Sequence, residues 1–587
     1  MAHLPVPAVG EREGTRDLTS NDDRGHIRFG IMCQGPRLAE WQAETIRRLL
    51  AIDGVSLSLL ITDPRPRPGG GKVDRLRRVA GSDTALWDAF NNGYVARRSR
   101  SLVRVDCTDM FDSVPVVEAV PSRRGRYSEY FAAGDVEQIR SRDLDFILRF
   151  AYGIIRGEIL TAARYGIWSF HHGDEQTFRG SPPAFWEMAT DSPVSGVLLQ
   201  RLTDRLDGGI VLRKGWMRTA HHSYVANTDR VHFGGADFPA QVCRDLLGGN
   251  DDYLDADPSS THAPIYRKPR NPTVAGFVAK TASAFVRHQA TNLTLCEQWN
   301  VGLVRAPISH FLDPGFTPSV EWFEDNRGRD HYLADPFPVR SESDGDVLLV
   351  EDYDYARRTG TISKLSFETM SRTSVVVGNN RHASYPYTFD AEDGEYFTAQ
   401  ISGQPDAHLL RFENDRPVPV RSLGIEQEML DPTLVEHDGS WWIFFTKPGS
   451  QSLTELHIWW SDQLFGVWRP HAQNPVKTDI RSARPGGTPF HHESDLYRPA
   501  QDCSRTYGGA VAICKVDQLT PDLFRESVVR VVEPDPSWPF PHGLHTLSAA
   551  GAVTYLDAKR RVFNRHESRA ELTARLHRLR PSRSPSE

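Results

Sequence analysis

The chain has 587 residues, of which 39% are hydrophobic and 25% are charged, the balance of a folded globular protein. This composition excludes wholesale disorder, a collagen-like fibre and a coiled-coil rod, while the length allows about four domains. No apolar run is long enough for a transmembrane helix, which predicts no membrane partner. The net charge of −7 argues against nucleic acid as a partner.

The N-terminal segment, residues 1–25, is polar and lacks the apolar core of a signal peptide. We therefore expect a disordered arm there. The six cysteines form no CxxC pair and no short cluster, which is typical of a reduced chain. Together these features predict a cytoplasmic protein.

Residues 26–225 alternate between strand-like and helix-like segments. HIRFGIMC (26–33) has the pattern of a buried strand, AEWQAETIRRLLA (39–51) that of an amphipathic helix, and VSLSLLITD (55–63) that of a second strand. Such alternation predicts a parallel α/β sheet. Residues 226–300 contain two helical patterns around a Pro/Asp/Ser-rich stretch and are predicted to form a helical connector.

From residue 301 to residue 560 the pattern becomes all-β, with short aromatic and β-branched runs separated by turns. A short motif recurs along it, as ADPFPV (334–339), SYPYTF (384–389), LDPTLV (430–435), YRPAQD (497–502) and GLHTLS (543–548). A period of about 40–50 residues with four strands per unit is typical of propeller blades, so we predict a five-bladed β-propeller. The remaining residues, 561–587, are predicted to form a basic tail.

Residues 149–212 contain four separated motifs: AYGII (151–155), SFHHGDEQTFRGSPP (169–183), SGVLLQ (195–200) and RLDGG (205–209). This set resembles the N-terminal domain of the 10-formyltetrahydrofolate-dependent formyltransferases. The resemblance covers roughly residues 27–225. It implies a multidomain protein with an N-terminal α/β Rossmann-like formyltransferase domain followed by the C-terminal all-β propeller.

The resemblance also implies the chemistry of the site. An amine attacks a formyl carbon, so the site must stabilise a developing oxyanion and move a proton. The family's catalytic His corresponds to His171 and its Asp to Asp207. The loop from Phe150 through Ala151, Tyr152, Gly153 and Ile154 is implied to bind the folate, with Asp204 and Arg205 beside it.

The family's catalytic Asn corresponds to Ser169 in this chain. Because the serine side chain is shorter, three interpretations stay open. Ser169 substitutes directly or through water, another group such as His172 or Asp174 has taken over, or the domain binds folate without transferring a formyl group.

His172, Asp174, Arg179 and Gly180 are further candidates for contacts with the substrate. The HHxD pattern at 171–174 contains metal-ligand types, but no further His or Cys clusters near it. We therefore predict no metal site.

The C-terminal half resembles the propeller at the N-terminus of glucosamine inositolphosphorylceramide transferases and, more remotely, those of glycoside hydrolase families 43 and 32. The motifs that carry this resemblance include LADPFP (333–338), LDPTLVEHDGSWWIFFT (430–446) and SARPGG (482–487). Asp335, Asp431 and Arg498 are predicted to face the central funnel. Gln400 stands where the hydrolases often have the acid Glu, which argues for glycan binding rather than hydrolysis.

These expectations combine into an N-formyltransferase that moves a formyl group from 10-formyltetrahydrofolate to an amine of an amino sugar, a nucleotide sugar or an aminated secondary metabolite. The propeller is expected to bind part of this small-molecule or carbohydrate acceptor, and a homodimer is possible. The alternatives are an inactive folate- or glycan-binding protein, a formyltetrahydrofolate hydrolase, and a propeller glycoside hydrolase.

Overall fold

The structure is a computed structural model, which describes residues 25–65, 82–125, 127–205, 208–340, 346–378 and 381–579. The expected polar arm, 1–25, lies outside these ranges except for its last residue. The described residues form an α/β module and a module of five β-sheets, which we call the five-sheet module. Among them, no helix is both long and apolar enough to cross a membrane.

The strands of the α/β module are β1 (Ile27–Cys33), β2 (Arg37–Ala39), β3 (Val55–Thr62), β4 (Arg104–Asp106), β5 (Val116–Glu118), β6 (Ser122–Arg124), β7 (Ser128–Tyr130), β8 (Phe146–Arg149), β9 (Ile154–Arg156), β10 (Ile167–His171), β11 (Arg179–Gly180), β12 (Val194–Arg201), β13 (Ile210–Arg218) and β14 (Ile265–Tyr266). The α-helices are Glu40–Leu50, Ala85–Phe90, Ala96–Arg98, Thr108–Phe111, Ala133–Arg140, Phe185–Ala189, Tyr224–Gly234, Phe238–Leu247, Asn271–Thr294 and, at the far end of the chain, Arg565–Leu579. Short 3₁₀ or π segments are Asn91–Val95, Glu158–Thr161, Asp252–Asp255 and Ile308–Leu312.

The main sheet of the α/β module has seven strands in the order β13-β12-β10-β8-β1-β3-β5. The five strands from β10 to β5 run parallel, whereas β12 and β13 are antiparallel additions. Along β1, Phe29 and Ile31 enter one hydrophobic core and Met32 enters another. Both faces of the sheet are therefore covered, which explains the almost continuous apolar run of this strand.

The helices that follow the sheet belong to the same core. Tyr224, Val231 and Phe238, from the two helices after β13, pack in the core that also contains Phe29. Phe277, from the helix Asn271–Thr294, joins them. The segment expected to be a separate connector, 226–300, is thus divided between the α/β module and the first strand of the next module, because its apolar side chains cover one face of the sheet.

The strands of the five-sheet module are β15 (Leu295–Val304), β16 (Glu321–Trp322), β17 (His331–Arg340), β18 (Asp346–Asp354), β19 (Thr359–Ser366), β20 (Ser371–Val375), β21 (Ala383–Ala391), β22 (Gly394–Ile401), β23 (His408–Glu413), β24 (Arg416–Ser422), β25 (Leu430–His437), β26 (Ser440–Thr446), β27 (Glu455–Ser461), β28 (Arg469–Pro470), β29 (Lys477–Thr478), β30 (Phe490–His492), β31 (Asp495–Asp502), β32 (Ala510–Leu519), β33 (Phe524–Val532), β34 (Gly543–Ala550) and β35 (Val553–Phe563). The module therefore starts at 295 rather than 301. Its last strand and the helix Arg565–Leu579 take in most of the expected basic tail, 561–587, and residues 580–587 lie outside the described ranges.

The two ends of the five-sheet module pair with each other. β15 and β35 are antiparallel partners from Leu295↔Phe563 to Val304↔Thr554, so one sheet contains strands from both ends of the module. The other four sheets each come from one continuous stretch of chain. This pairing ties the first and last strands of the module into one sheet.

A β-bulge marks the inner strand of four of the five sheets. The register shifts at residues 334–337, 384–387, 430–433 and 544–547. The recurring motifs of the sequence lie at these bulges, and at three of them Asp335, Tyr385 and Asp431 have positive φ angles. Bulges re-aim side chains, which explains why this short motif recurs.

The fourth copy of the motif was assigned to the wrong segment. YRPAQD (497–502) lies on β31, the second strand of its sheet. The inner position is held instead by the earlier segment 483–487, where Arg484 binds Asp431 of the preceding sheet and Gly487 pairs with Leu547 of the next. The two segments share an Arg-Pro pair, and only strand pairing distinguishes them.

The two modules dock through the edge strand β13. Trp216 bridges Asp479, accepts a hydrogen bond at its carbonyl from Ile480 N at 3.0 Å, and carries the guanidinium of Arg481 4.3 Å above its ring. Arg218 Nε donates to the carbonyl of Cys503 at 2.7 Å. The five-sheet module thereby covers an edge that would otherwise be open to other strands.

We expect Gly487→Ala to destabilise the protein by more than about 3 kcal/mol, because a Cβ there would overlap the carbonyl oxygen of Leu547 and φ is +136°. The matched control is Gly439→Ala, in a turn with φ +72° and open space around the Cβ, where we expect a loss of about 1 kcal/mol. Urea unfolding followed by tryptophan fluorescence measures both. Equal losses would contradict the close approach of the segment 483–487 to β34.

Candidate functional site

A cavity of about 920 Å³ lies at the carboxyl edge of the parallel strands. Residues that follow β8 and β10 line it, together with the antiparallel strand β12. Loops after adjacent parallel strands meet at this edge, which is where open α/β sheets hold ligands. The cavity brings together Tyr152, Gly153, Ile154, His171, Gly180 and Arg205 of the residues predicted from sequence.

His171 is the last residue of β10 and lines this cavity. Its Nε2 lies 3.0 Å from the carbonyl oxygen of Phe178. Because a carbonyl only accepts, Nε2 carries the proton, and in the neutral ring Nδ1 is the basic atom. The loop that turns back to Phe178 therefore fixes the tautomer of the predicted catalytic histidine.

Ser169 is buried two residues earlier, where it is held by an arginine. Arg149 donates to Ser169 Oγ from Nε at 3.2 Å and from Nη2 at 2.9 Å. Nη1 of the same guanidinium donates to the carbonyls of Tyr152 and Gly153. Four of the five N–H donors of Arg149 are thus engaged within the described residues, which leaves one Nη2–H. Burial lowers the pKa of Arg149, and the side chain also lines the cavity.

The predicted folate loop is held from both sides. Phe150 stacks on Phe170, which lines the cavity, and Ala151 is buried. Gly153 N donates to Glu129 Oε2 at 2.6 Å. The loop is therefore fixed by its own hydrogen bonds, and the strand β9 that begins at Ile154 continues along the cavity wall.

The residues at the far wall of the cavity are only partly described. Arg205 lines the cavity, and Asp204 Oδ1 accepts a hydrogen bond from Gly157 N at 3.1 Å. Asp207, the predicted partner of His171, lies outside the described residues. Gln200, on β12, is a further polar group at this wall.

The structure places His172 and Asp174 outside the cavity lining. His172 packs edge-on against Trp41 and His232, and burial, reinforced by His232 and His171, lowers its pKa well below the usual range. Asp174 accepts hydrogen bonds from Lys214 Nζ at 2.6 Å and Trp216 Nε1 at 3.0 Å. These bonds outweigh the effect of burial and hold the pKa of Asp174 below its usual value.

Arg179 and Gly180 form the short strand β11 beside β14. Arg179 Nη1 donates to the carbonyl of Ala263 at 3.2 Å. Gly180 has φ +95°, and a Cβ there would overlap the carbonyl oxygen of Tyr266. A side chain at 180 would therefore separate the two strands at the rim of the cavity.

A second carboxyl group lies behind His171. Glu187 is 2% exposed, and its Oε1 has no hydrogen-bond partner among the described residues. An ideal Cβ on Gly173 would lie 3.0 Å from His171 Nε2 and 3.7 Å from this oxygen, which places both groups around one point. Burial raises the pKa of Glu187 to about 7.

The five-sheet module has its own cavity, of about 570 Å³, around the starts of its inner strands. Asp335, Gln400 and Asp431 line this cavity, which we call the funnel. Arg484 makes a bidentate ion pair with Asp431 at 2.5 and 3.0 Å, and Gln400 Oε1 accepts a hydrogen bond from Asp431 N at 3.2 Å. Gln400 therefore helps to hold the backbone at Asp431.

Asp335 belongs to a buried network with His545 and Asp557, whose ligand atoms lie within 4.8 Å of one another. Asp557 accepts hydrogen bonds from Asp335 N at 2.9 Å, from Thr546 N at 3.0 Å and from His545 Nδ1 at 2.7 Å. The group is thus held together by hydrogen bonds to Asp557. Burial, opposed by His545 and reinforced by Asp557, raises the pKa of Asp335 to about 6.

Arg498 does not face the funnel. It is 1% exposed, donates to Glu526 at 2.6 and 3.1 Å and to the carbonyl of Ser482 at 2.7 Å. Arg498 lies on the second strand of its sheet, and the inner position is held by Arg484 instead. Arg498 and Glu526 thus form a buried structural ion pair.

Sequence reasoning missed Arg149, Arg484 and Glu351. Arg149 ends the apolar strand β8, and a charge at the carboxyl end of a buried parallel strand is a signal that could have found it. Glu351 lines the funnel from β18 and breaks the apolar alternation Val347–Leu349 on one face of that strand. Arg484 lies in an Arg-Pro pair like the one at 498–499, so the sequence offered both as candidates for the inner strand.

Comparison with known proteins gives two different matches. The family model described as "Glucosamine inositolphosphorylceramide transferase 1, N-terminal" matches residues 333–537, which fall within the five-sheet module. The rice protein (Oryza sativa subsp. japonica) named glucosamine inositolphosphorylceramide transferase 1 is 32% identical over 211 residues, covering 34% of this chain. The chain spans 28% of the length of that relative.

Solved structures of two kinds match parts of this chain. Glycinamide ribonucleotide transformylase 1 from Symbiobacterium toebii is 15% identical, covers 39% of this chain and 90% of its own, with a TM-score of 0.26. The exo-β-1,3-galactanase 1,3Gal43A from Clostridium thermocellum is 12% identical, covers 37% of this chain and 57% of its own, with a TM-score of 0.28. At these scores the likeness carries no functional information.

Glu187 predicts a loss of stability with rising pH. The folded-state pKa of Glu187, about 7, lies above the value of 4.5 for an unperturbed Glu. Between these pH values the folded state therefore holds a proton that the unfolded state releases. Above pH 7 the free energy of unfolding is lowered by the full amount, about 3 kcal/mol. We expect Glu187→Gln to raise Tm near about pH 8 and to leave it unchanged near about pH 5. The control is Glu137→Gln, whose side chain is 71% exposed and which should change neither. An equal effect of Glu187→Gln at both pH values would contradict a protonated Glu187.

Proposed function

We propose that the protein is an N-formyltransferase that uses 10-formyltetrahydrofolate as its donor and an amino sugar, or a related amine, as its acceptor. The observation that carries this proposal is the cavity of about 920 Å³ in which the formyltransferase-like loop Tyr152–Ile154 and His171 meet. Its volume lies in the range of small-molecule sites. We further propose that the five-sheet module is a five-bladed propeller that holds part of the acceptor.

The cavity suits a folate-sized donor, but the polar backbone groups of the loop 152–153 already have partners. The carbonyls of Tyr152 and Gly153 and the amide of Gly153 already bind Arg149 and Glu129. The cavity-facing edge of β9 from Ile154 onward and the side chain of Gln200 are therefore the groups we assign to the pterin. When bound, the folate supplies the electrophilic formyl carbon.

The reaction joins the acceptor nitrogen to the formyl carbon, breaks the bond from that carbon to the folate nitrogen, and moves one proton from the acceptor to the folate. His171 is the group that carries this proton. Its Nε2–H is committed to Phe178 O, so Nδ1 accepts from the attacking amine and then donates to the leaving nitrogen. The buried neighbour Glu187 is placed to favour the positively charged ring when it ionises.

Arg149 is the group that we propose in place of the family's Asn. Ser169 cannot reach as far as an Asn amide, but it anchors the guanidinium with two hydrogen bonds. The remaining Nη2–H of Arg149 then serves the oxygen on which negative charge develops. A charged donor in a buried site is stronger than a neutral amide, which offsets the loss of the Asn.

The acceptor class is proposed from the module matched by the relatives. The family model and the rice protein are both named for glucosamine, and the family model matches residues 333–537 of the five-sheet module. Glucosamine and nucleotide-linked amino sugars are therefore the first acceptors to test. Incubation with 10-formyltetrahydrofolate should give a product heavier by one formyl group in mass spectrometry.

We expect His171→Ala to lower the formylation rate by about 10²–10⁴-fold, because no other imidazole among the described cavity residues replaces its ring. His222→Ala is the matched control, since His222 stacks on His288 outside the cavity and should leave the rate unchanged. Both variants should still bind 5-formyltetrahydrofolate in a titration. Absence of folate binding by the unaltered protein would overturn the proposal.

Arg149→Lys should lower kcat by about 10²–10³-fold, because a lysine cannot bind Ser169 and the loop carbonyls together while keeping a free donor. Ser169→Ala should cost less, about tenfold, since it removes only an anchor of the guanidinium. Single-turnover formyl transfer measures both. A larger loss in Ser169→Ala than in Arg149→Lys would instead make the serine the direct donor.

A further inference from the structure

Among the carboxylates that line the funnel, Glu351 alone lacks a charged partner within the described residues. Asp431 is paired with Arg484, and Glu297 with Lys559 at 2.6 Å. Asp335 lies 3.4 Å from His545 Nε2, and Glu567 lies 3.8 Å from Arg358 Nε. These four are thus already compensated.

The nearest basic group to Glu351 is neutral. His382 Nε2 lies 3.9 Å from Glu351 Oε1, too far for a hydrogen bond. Its Nδ1 accepts a hydrogen bond from Gly360 N at 2.8 Å, so the single proton of the ring is on Nε2, and burial lowers the pKa of this histidine. Glu351 is nevertheless only 6% exposed. It is thus a buried carboxyl group that lines the funnel and has no cationic partner among the described residues.

Aromatic rings flank this carboxyl group. Glu351 and Tyr353 are two residues apart on β18, so they face the same side of the sheet. Tyr332 on β17 stacks on Tyr353 at 4.7 Å between ring centroids, and Tyr355 meets Tyr353 edge-on at 5.2 Å. Aromatic faces beside a carboxylate are the arrangement that binds ammonium groups.

The backbone makes room for Glu351. A Cβ on Gly360, which pairs with Tyr353 in the neighbouring strand β19, would overlap Glu351 Oε1. Burial, together with Asp335 and Asp431 across the funnel, raises the pKa of Glu351 well above its usual range. The neighbouring acids therefore oppose the negative charge of Glu351, which has no cationic partner among the described residues.

We propose that the funnel binds a protonated primary amine of a sugar, with Glu351 as its counter-ion and the Tyr332–Tyr353 pair as its aromatic wall. This rests on the proposed function for the class of sugar and goes beyond it by assigning a charged amino sugar rather than a neutral glycan to the five-sheet module. An amine held by Glu351 in the funnel is a different amine from the one that attacks the formyl carbon at His171, because the two residues line separate cavities. The binding itself does not require formyl transfer.

Glucosamine is the probe, with N-acetylglucosamine and glucose as neutral analogues of the same ring. Calorimetric titration of the full chain should detect glucosamine and give affinities at least about tenfold weaker for both neutral sugars. Glu351→Gln should reduce glucosamine affinity by about tenfold or more, since the amide keeps the shape but not the charge. Equal affinity for N-acetylglucosamine and glucosamine would overturn the proposal.

The matched control is Glu395→Gln. Glu395 lines a separate cavity together with Pro338 and Trp441, and burial raises its pKa to about 7, so it is a comparable carboxyl group outside the funnel. This variant should bind glucosamine like the unaltered protein. If Glu351→Gln fails to fold, methylammonium chloride should displace glucosamine from the unaltered protein while sodium chloride at equal ionic strength does not. No displacement would again overturn the proposal.

His171→Ala separates this inference from the proposed function. That variant should lose formylation but keep glucosamine binding at the funnel. If glucosamine binds through Glu351 but is never formylated, the proposed function fails and the funnel assignment stands. If formylation occurs while Glu351→Gln binds glucosamine normally, the funnel assignment fails alone.

Discussion

The five-sheet module depends on pairing charges that it buries at its axis. Equivalent inner positions of its sheets carry Asp335, Tyr385, Asp431, Arg484 and His545, so each sheet contributes one polar group. Isolated buried charges cost far more than the marginal stability of a domain, whereas paired ones are tolerated. The ion pair of Asp431 with Arg484 and the contact of His545 with Asp335 both join one sheet to another. These two contacts form only when the sheets that carry them dock against each other.

Closure of the chain supports the same constraint from outside the axis. Asp557 lies on β35, the strand that pairs with the first strand of the module, and it accepts the backbone N–H of Asp335 in the next sheet. The terminal strand thus delivers the carboxylate that holds His545 in place. Removing the pairing of the first and last strands would expose a sheet edge and also leave the axial imidazole without its partner.

Periodic features of the sequence predicted the architecture, and the failures share one cause. The buried strand 26–33 and the helix at 39–51 were readable because burial on both faces or on one face leaves a distinct pattern. The Arg-Pro pairs at 484 and 498 look alike, and only pairing with neighbouring strands assigns the first to the axis. Arg149 was missed for the same reason, since its partner Ser169 is brought to it by adjacent parallel strands. Local pattern predicts elements, but pairings between elements decide which charged side chain faces a cavity.

The strand that carries His171 also links the two modules. Three residues beyond it, Asp174 binds Lys214 and Trp216 of the edge strand β13, and the ring of Trp216 lies under Arg481 of the five-sheet module. The loop from His171 to Phe178, which fixes the histidine tautomer, is therefore anchored at the junction itself. A loop tied to an interface keeps its conformation only while the interface is closed. Docking of the five-sheet module consequently contributes to the geometry around His171, and the two cavities are parts of one folded unit rather than independent sites on a shared chain.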